Sequence, residues 1–435
     1  MPPTPLTAAI VGAGHRAVLY ASYAHLHPEE LRIVAIAEPD DLRRNLSAEA
    51  HGIPPERRFR SAEELAAAGR LADFAINGTM DTQHVPTSLP LLEAGYHLLL
   101  EKPFATNEGE LWQLVDAARR NERLVGICHV LRFAPFYAEI RARVAAGAIG
   151  QVLNVQTTEH VSYHHMAVAF VRGKWNSQGR CGSSMLMSKC CHDLDLIVWM
   201  KSGVHPTAVS SFGSLTYFRP ERAPAGAGSR CLVDCPIEAD CPYSARKHYI
   251  DHPDRWAFYV WQPIEHLPNP TIADKIASLA GDNPFGRCVW KCDNDVVDHQ
   301  SLAISFADGA TATHNMVGGA AKPSRSIHLL GTDGEIEGHL EDSRFVIRHI
   351  DPRPGHETAE GVVDLRIRGD MHGAAGGHGG GDLRLVRDFV RVVRGEEPSL
   401  STTSLEDSVY GHLIGFAADR AREEGRVVPM PQRAI

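Results

Sequence analysis

Positive charge is in short supply in this chain of 435 residues: Lys and Arg number 44 against 53 Asp and Glu, a formal charge of −9. A protein that grips nucleic acid neutralises phosphates with a surplus of cations, so that class of partner is excluded. No run of about 18 apolar residues occurs, which leaves no candidate membrane span. The N-terminal segment has no basic stretch leading into an apolar one, so the expected compartment is the cytoplasm. Long blocks of carboxylates or arginines are missing too, and with them any sign of a strongly charged substrate. No internal repeat is evident. What remains is an ordinary globular composition, 43% hydrophobic, 22% charged and 7% aromatic, incompatible with disorder over most of the length. At about 100–200 residues per domain, the chain is long enough for two or three domains with a sizeable core.

The first third alternates short apolar runs with helix-like stretches. Strands are expected at 7–11 (TAAIV), 31–37 (LRIVAIA), 72–76, 97–100 and 124–128, with helices at 63–68, 89–94 and 108–121. That rhythm indicates an α/β unit, residues 1–130, built on a doubly wound parallel sheet. The rhythm then changes. A helix at 136–146, an alternating strand at 152–160 and a helix at 185–201 precede alternating strands at 208–218, 300–306, 311–316 and 326–331. These indicate an α+β domain, residues 131–435, with an open, mostly antiparallel sheet. Residues 219–291, rich in Pro, Gly, Cys and aromatics and poor in periodicity, form an insertion in it. The glycine run at 373–381 is a linker or a loop held against a ligand, followed by a helix at 382–394.

Gly12-Ala13-Gly14-His15-Arg16-Ala17 follows the first strand and opens a helix. In that position G-x-G-x-x-[GA] marks a dinucleotide site: the first glycine makes the turn, the second lets the pyrophosphate approach, and the small Ala17 lets helix and sheet pack. The phosphates would rest on the helix N-terminus. Glu38, at the end of the second strand, is placed to bind both adenosine ribose hydroxyls and would repel a 2′-phosphate, so NAD is expected over NADP. Arg43 and Arg44 lie near enough to blunt that preference.

The glycine turn, the segment Asn77-Gly78-Thr79-Met80-Asp81-Thr82-Gln83-His84, the tripeptide Glu101-Lys102-Pro103 and His192-Asp193-Leu194-Asp195 together resemble the Gfo/Idh/MocA oxidoreductases. The resemblance implies a Rossmann domain followed by a sheet domain that carries the substrate and makes the oligomer contact, giving a homodimer or homotetramer. It also implies that Thr79 and His84 contact the cofactor, that Glu101 and Lys102 lie beside the nicotinamide ribose, and that Trp175 approaches from the second domain.

Oxidising an alcohol requires a base for the hydroxyl proton while the hydride leaves for nicotinamide. His192 is the candidate base, with Ser188 and Asp195 on the same helical face and Lys189 one turn away. Lys102 would stabilise negative charge on the substrate oxygen. Members of the family commonly carry Asp four residues before this histidine and Gly two before it; here those positions are Ser188 and Cys190. A second acid/base carboxylate is therefore missing, and Lys189 is the residue that could take over part of its role. For the substrate, polar groups are expected from His160, His165, Arg172, Asp195 and His378, suited to a polyhydroxylated ligand. These features indicate an NAD-dependent oxidoreductase acting on a hydroxyl of a sugar, polyol or sugar derivative. The alternative is a redox-neutral, NAD-dependent cleavage of glycosides through a transient keto-sugar. A non-catalytic NAD-binding regulator would be expected to lack Lys102 or His192, and both are present.

Five of the nine cysteines crowd into one region. In a reducing compartment clustered thiols suggest metal before disulfide. Cys231-x₃-Cys235-x₅-Cys241 supplies three thiolates, and Cys288 or Cys292 returns to complete a structural zinc site; Cys288 is taken as the fourth ligand and Cys292 as the spare.

Overall fold

The computed structural model describes residues 4–357, 359–364, 380–431 and 433. The apolar runs of the N-terminal third form strands β1 (Leu6–Val11), β2 (Leu31–Ala37), β3 (Arg58–Phe59), β4 (Phe74–Asn77), β5 (His97–Leu100) and β6 (Val125–Ile127). All pair in parallel, in the order β3-β2-β1-β4-β5-β6. Helices cover both faces, which is why β1, β4 and β5 are near-continuous apolar runs rather than alternating ones. The order reverses on either side of β1, and the crevice at the carboxyl ends of β1 and β4 is the usual ligand position of such sheets.

The second sheet has nine strands: β7 (Val152–Ser162), β8 (Pro206–Ser214), β9 (His299–Phe306), β10 (Thr311–Ala320), β11 (Ser324–Gly331), β12 (Gly334–His339), β13 (Arg344–His349), β14 (Ala359–Asp364) and β15 (Val428–Pro429). Their order is β14-β13-β12-β11-β7-β10-β9-β8-β15, antiparallel except for the β7–β10 pair. One face packs on helices. The other is open, so β7, β9 and β10 alternate buried and exposed residues.

The helix Met185–Met200 packs on this sheet at β7 and β10, beside the helix Leu405–Glu424, which covers β8. Every residue of it is buried except Lys189. Ser184 caps it by accepting from Met187 N–H at 3.2 Å. Gly411 allows the close approach of its neighbour, since an added Cβ would stand 3.2 Å from Asp195 N. Below the helix, Arg132 makes a two-pronged bond to Asp195, Nε–Oδ2 2.7 Å and Nη2–Oδ1 2.5 Å, with both residues buried.

The helix Gly381–Val393 returns to the first sheet, where Phe389 meets Phe74 edge-on at 5.2 Å and its ring fills the space beside Gly126. Residues 219–291, between β8 and β9, carry short helices at Ala257–Val260 and Ile272–Ala280 around buried aromatics such as Tyr249 and Trp290. No helix among the described residues is long and apolar enough to cross a membrane.

Candidate active site

Gly12 turns the chain out of β1 at φ +77°, a region that favours glycine, and a Cβ there would lie 3.0 Å from the backbone of Thr79. Gly14 caps the following helix, His15–Ala21, with no side chain over its N–H groups. Ala17 packs on Gly78, whose added Cβ would be 2.8 Å away. This is the close helix-to-sheet contact the motif needs. Glu38 is buried at the end of β2, with Oε2 accepting from Ala13 N–H at 2.6 Å and Oε1 from Asp40 N–H at 2.9 Å. The two nearby arginines are committed elsewhere: Arg44 donates to the carbonyl of Glu38 at 2.7 Å, and Arg43 pairs with Glu265 of the insertion at 2.8 Å.

A cleft of about 360 Å³ runs from this turn into the second domain. At its centre stand Glu101 and Lys102, directly after β5. The carboxylate of Glu101 accepts from Arg16 Nε at 2.9 Å, from the Tyr20 hydroxyl at 2.6 Å and from Lys102 N–H at 2.8 Å. Burial alone would raise its pKa, but Arg16, Lys102 and the Tyr20 bond outweigh that and hold the carboxyl at about 2. Lys102 Nζ donates to the carbonyl of Ser188 at 2.7 Å, a bond from the first domain to the helix Met185–Met200. Lys189 and His192 of that helix line the same cleft. Lys189 Nζ is 3.0 Å from Glu159, and burial lowers its pKa against the pull of that carboxylate. Glu159 also holds Arg325 at 2.6 Å, and Arg325 reaches Asp193 at 3.2 Å. Two cations and two anions thus balance beside the cleft. The Ser188 hydroxyl donates to the carbonyl of Ser184 at 2.8 Å and offers the cleft no acid.

The far wall comes from the insertion, which its sequence pattern did not place here. Trp256, Phe258, Tyr259 and Gln262 line the cleft. Phe258 stacks on His15 with ring centroids 4.0 Å apart, and His165 packs on Trp256 at 4.4 Å. Trp175 meets Tyr259 edge-on at 5.7 Å and donates to Asp81 at 3.3 Å, joining both domains and the insertion. The aromatic run 256–261 (WAFYVW) was the available signal.

Residues 6–129 match the profile described as oxidoreductase family, NAD-binding Rossmann fold, and residues 141–430 match the C-terminal alpha/beta domain of the same family. The chain belongs to the Gfo/Idh/MocA oxidoreductase family. A Bacillus subtilis (strain 168) protein, YteT, named as an oxidoreductase, is 25% identical over 83% of this chain and 82% of its own. The inositol 2-dehydrogenase of Corynebacterium glutamicum (strain R) is 24% identical, over 45% of this chain and 54% of its own. Among solved structures, a levoglucosan dehydrogenase in complex with NADH and levoglucosan shares the fold, with TM-score 0.70, 17% identity, 99% of this chain and 100% of its own covered.

In this Gfo/Idh/MocA chain several expected site residues lie elsewhere. His160 is exposed on the open face of the second sheet, because its neighbour Glu159 takes the inward position on β7. Asp195 is turned from the cleft by its buried pair with Arg132. Arg172 is buried against the insertion, donating to the carbonyls of Arg287 and Tyr243, both at 2.7 Å. His84 lines the cleft, but its ring nitrogens face the carbonyls of Pro103 at 2.7 Å and Thr79 at 3.0 Å, so it braces the loop. Arg16 also lines the cleft while its guanidinium is taken by Glu101, Tyr20 and Asp382. His378 lies outside the described residues. Missed in the sequence were His129 and His412, buried behind His192 with ring centroids 5.8 Å (His192–His129) and 5.7 Å (His129–His412) apart. None of the nine cysteines is joined in a disulfide.

Proposed function

We propose that this NAD-dependent oxidoreductase acts on a hydroxyl of a sugar, polyol or sugar derivative, with His192 accepting the hydroxyl proton and Lys102 binding the same oxygen. The observation that carries this reading is that Lys102, Lys189 and His192 line one cleft with the glycine turn. Gly12, Ala13, Gly14 and Glu38 would hold the coenzyme, with Thr79 and Trp175 flanking it. When bound, NAD supplies the hydride acceptor. The Lys102 ammonium favours the oxygen as its proton leaves. Lys189, with burial opposing its charge, adds a second cation next to the base. Trp256, Tyr259 and Trp175 exclude water and give the C–H faces of a sugar ring aromatic surfaces to lie against. The levoglucosan and inositol named for relatives belong to the same chemical class. Two further features fall outside the reaction. The open face of the second sheet, with Phe212 and Val317 exposed on it, is proposed to be covered by a second copy of the chain, which sedimentation equilibrium would show. A metal on the insertion thiols would be structural.

Coenzyme choice tests the cofactor half of the reading. With Glu38 at the ribose position and Arg43 and Arg44 both paired away from it, NAD(H) is expected to bind at least about tenfold more tightly than NADP(H), a difference of ~1.4 kcal/mol. Glu38→Gln should narrow the gap. Equal or tighter NADP(H) binding by the unaltered protein would contradict the assignment. For the substrate half, net NADH formation is expected with free sugars or polyols.

A further inference from the structure

We infer that Cys231, Cys235, Cys241 and Cys288 hold one zinc ion that ties together the root of the insertion. These four side chains line one small void of about 10 Å³, roughly the volume occupied by a single small sphere. The backbone brings them there. Cys231 N–H donates to Gly286 at 2.9 Å and Cys288 N–H donates to Ser229 at 2.8 Å, so the two ends of the insertion pair as an antiparallel bridge at Arg230 and Arg287. Thiols far apart in sequence are thereby set side by side. The turns that follow Cys231 carry Cys235 and Cys241 round to the same void. Cys292 does not line it and instead donates to the carbonyl of Cys288 at 3.2 Å.

The surroundings of the void fit anionic sulfur. Tyr243 N–H donates to Cys241 Sγ at 3.4 Å. Such a donor orients a thiolate ligand and offsets its charge. Arg172 supplies an independent sign. It is buried, its Nη2 lies 3.5 Å from Cys231 Sγ, and among the described residues no carboxylate pairs with it. A buried cation needs a counter-charge, and zinc with four thiolates carries a net charge of −2, since zinc brings two positive charges to four negative ligands. The four sulfurs are spaced more widely than a bound ion would hold them: no three lie within 4.8 Å of one another. Zinc–sulfur bonds of ~2.3 Å place tetrahedral sulfurs about 3.8 Å apart, so binding would rotate the cysteine side chains inward.

Elemental analysis of the full-length protein, purified without added metal, is expected to give about one zinc per chain. X-ray absorption at the zinc edge should then show four sulfur neighbours at ~2.3 Å. Cys241→Ser and Cys288→Ser should each lower the zinc content at least about fivefold; the absorption measurement needs only the unaltered protein, so a variant that fails to fold does not remove the test. A metal-free, folded protein would overturn the proposal, as would iron accompanied by acid-labile sulfide. Zinc with a single sulfur and nitrogen or oxygen neighbours would also overturn it, because that set matches Cys190, Asp193 and His314 instead.

Discussion

His192→Asn and Lys102→Met are each expected to lower turnover on the true substrate by about 10²-fold or more while leaving the Kd for NAD within about threefold. The expectation follows from where these side chains stand. His192 and Lys102 face one cleft from different domains, and Lys102 is fixed there by its 2.7 Å bond to Ser188. Neither belongs to the glycine turn or the Glu38 end of the coenzyme site, so binding and chemistry should separate. The pair should also be strongly non-additive if base and cation serve the same oxygen. Steady-state kinetics of both single variants and the double variant, with a fluorescence titration of NADH, would check this. Full activity in His192→Asn would place the proton acceptor elsewhere, and a large rise in the coenzyme Kd would make the residue a binding group instead.

Arg132→Met is expected to destabilise the fold by about 3–5 kcal/mol, because it strands the Asp195 carboxylate without its partner. Asp195 is almost fully inaccessible, 1% exposed, and burial already pushes its pKa up against the pull of Arg132. Removing both charges together, as Arg132→Met with Asp195→Leu, should restore much of the loss, since two apolar groups leave nothing unpaired. Urea unfolding of the two variants would read this directly. Equal destabilisation in single and double variants would mean that the pair matters for shape rather than charge.

The Rossmann half was the more legible part of the chain, and the reason is physical. β1, β2 and β5 are covered on both faces, so each shows as an apolar run ended by Gly, Glu or Glu-Lys-Pro. The second sheet was legible only where strands alternate over many residues, as in β7 and β9. β12 and β13 are short and bury few apolar side chains, chiefly Ile336, Phe345 and Ile347, so their pattern is weak, and the helix Leu405–Glu424 is not marked in the sequence either. The helix Met185–Met200 and Lys102 could be placed because the motifs around them are local. The aromatic wall could not, because Trp256 and Phe258 reach the cleft only through the fold of an insertion that has no periodicity of its own. His160 illustrates a different failure. Its chemistry suits a polyhydroxylated ligand, but alternation along β7 puts it and Glu159 on opposite faces. Asp195 failed for want of its distant partner, Arg132, which lies 63 positions away in sequence.

We propose net hydride transfer from the hydroxyl-bearing carbon of a sugar or polyol to NAD at the cleft of Lys102 and His192. Incubating the protein with NAD and a panel of carbon-deuterated sugars and polyols, then weighing the recovered coenzyme by mass spectrometry, tests it most directly. Deuterated NADH is expected in equal amount to the keto product, and none with His192→Asn. Cleavage of a glycoside with the coenzyme recovered wholly as NAD would contradict it.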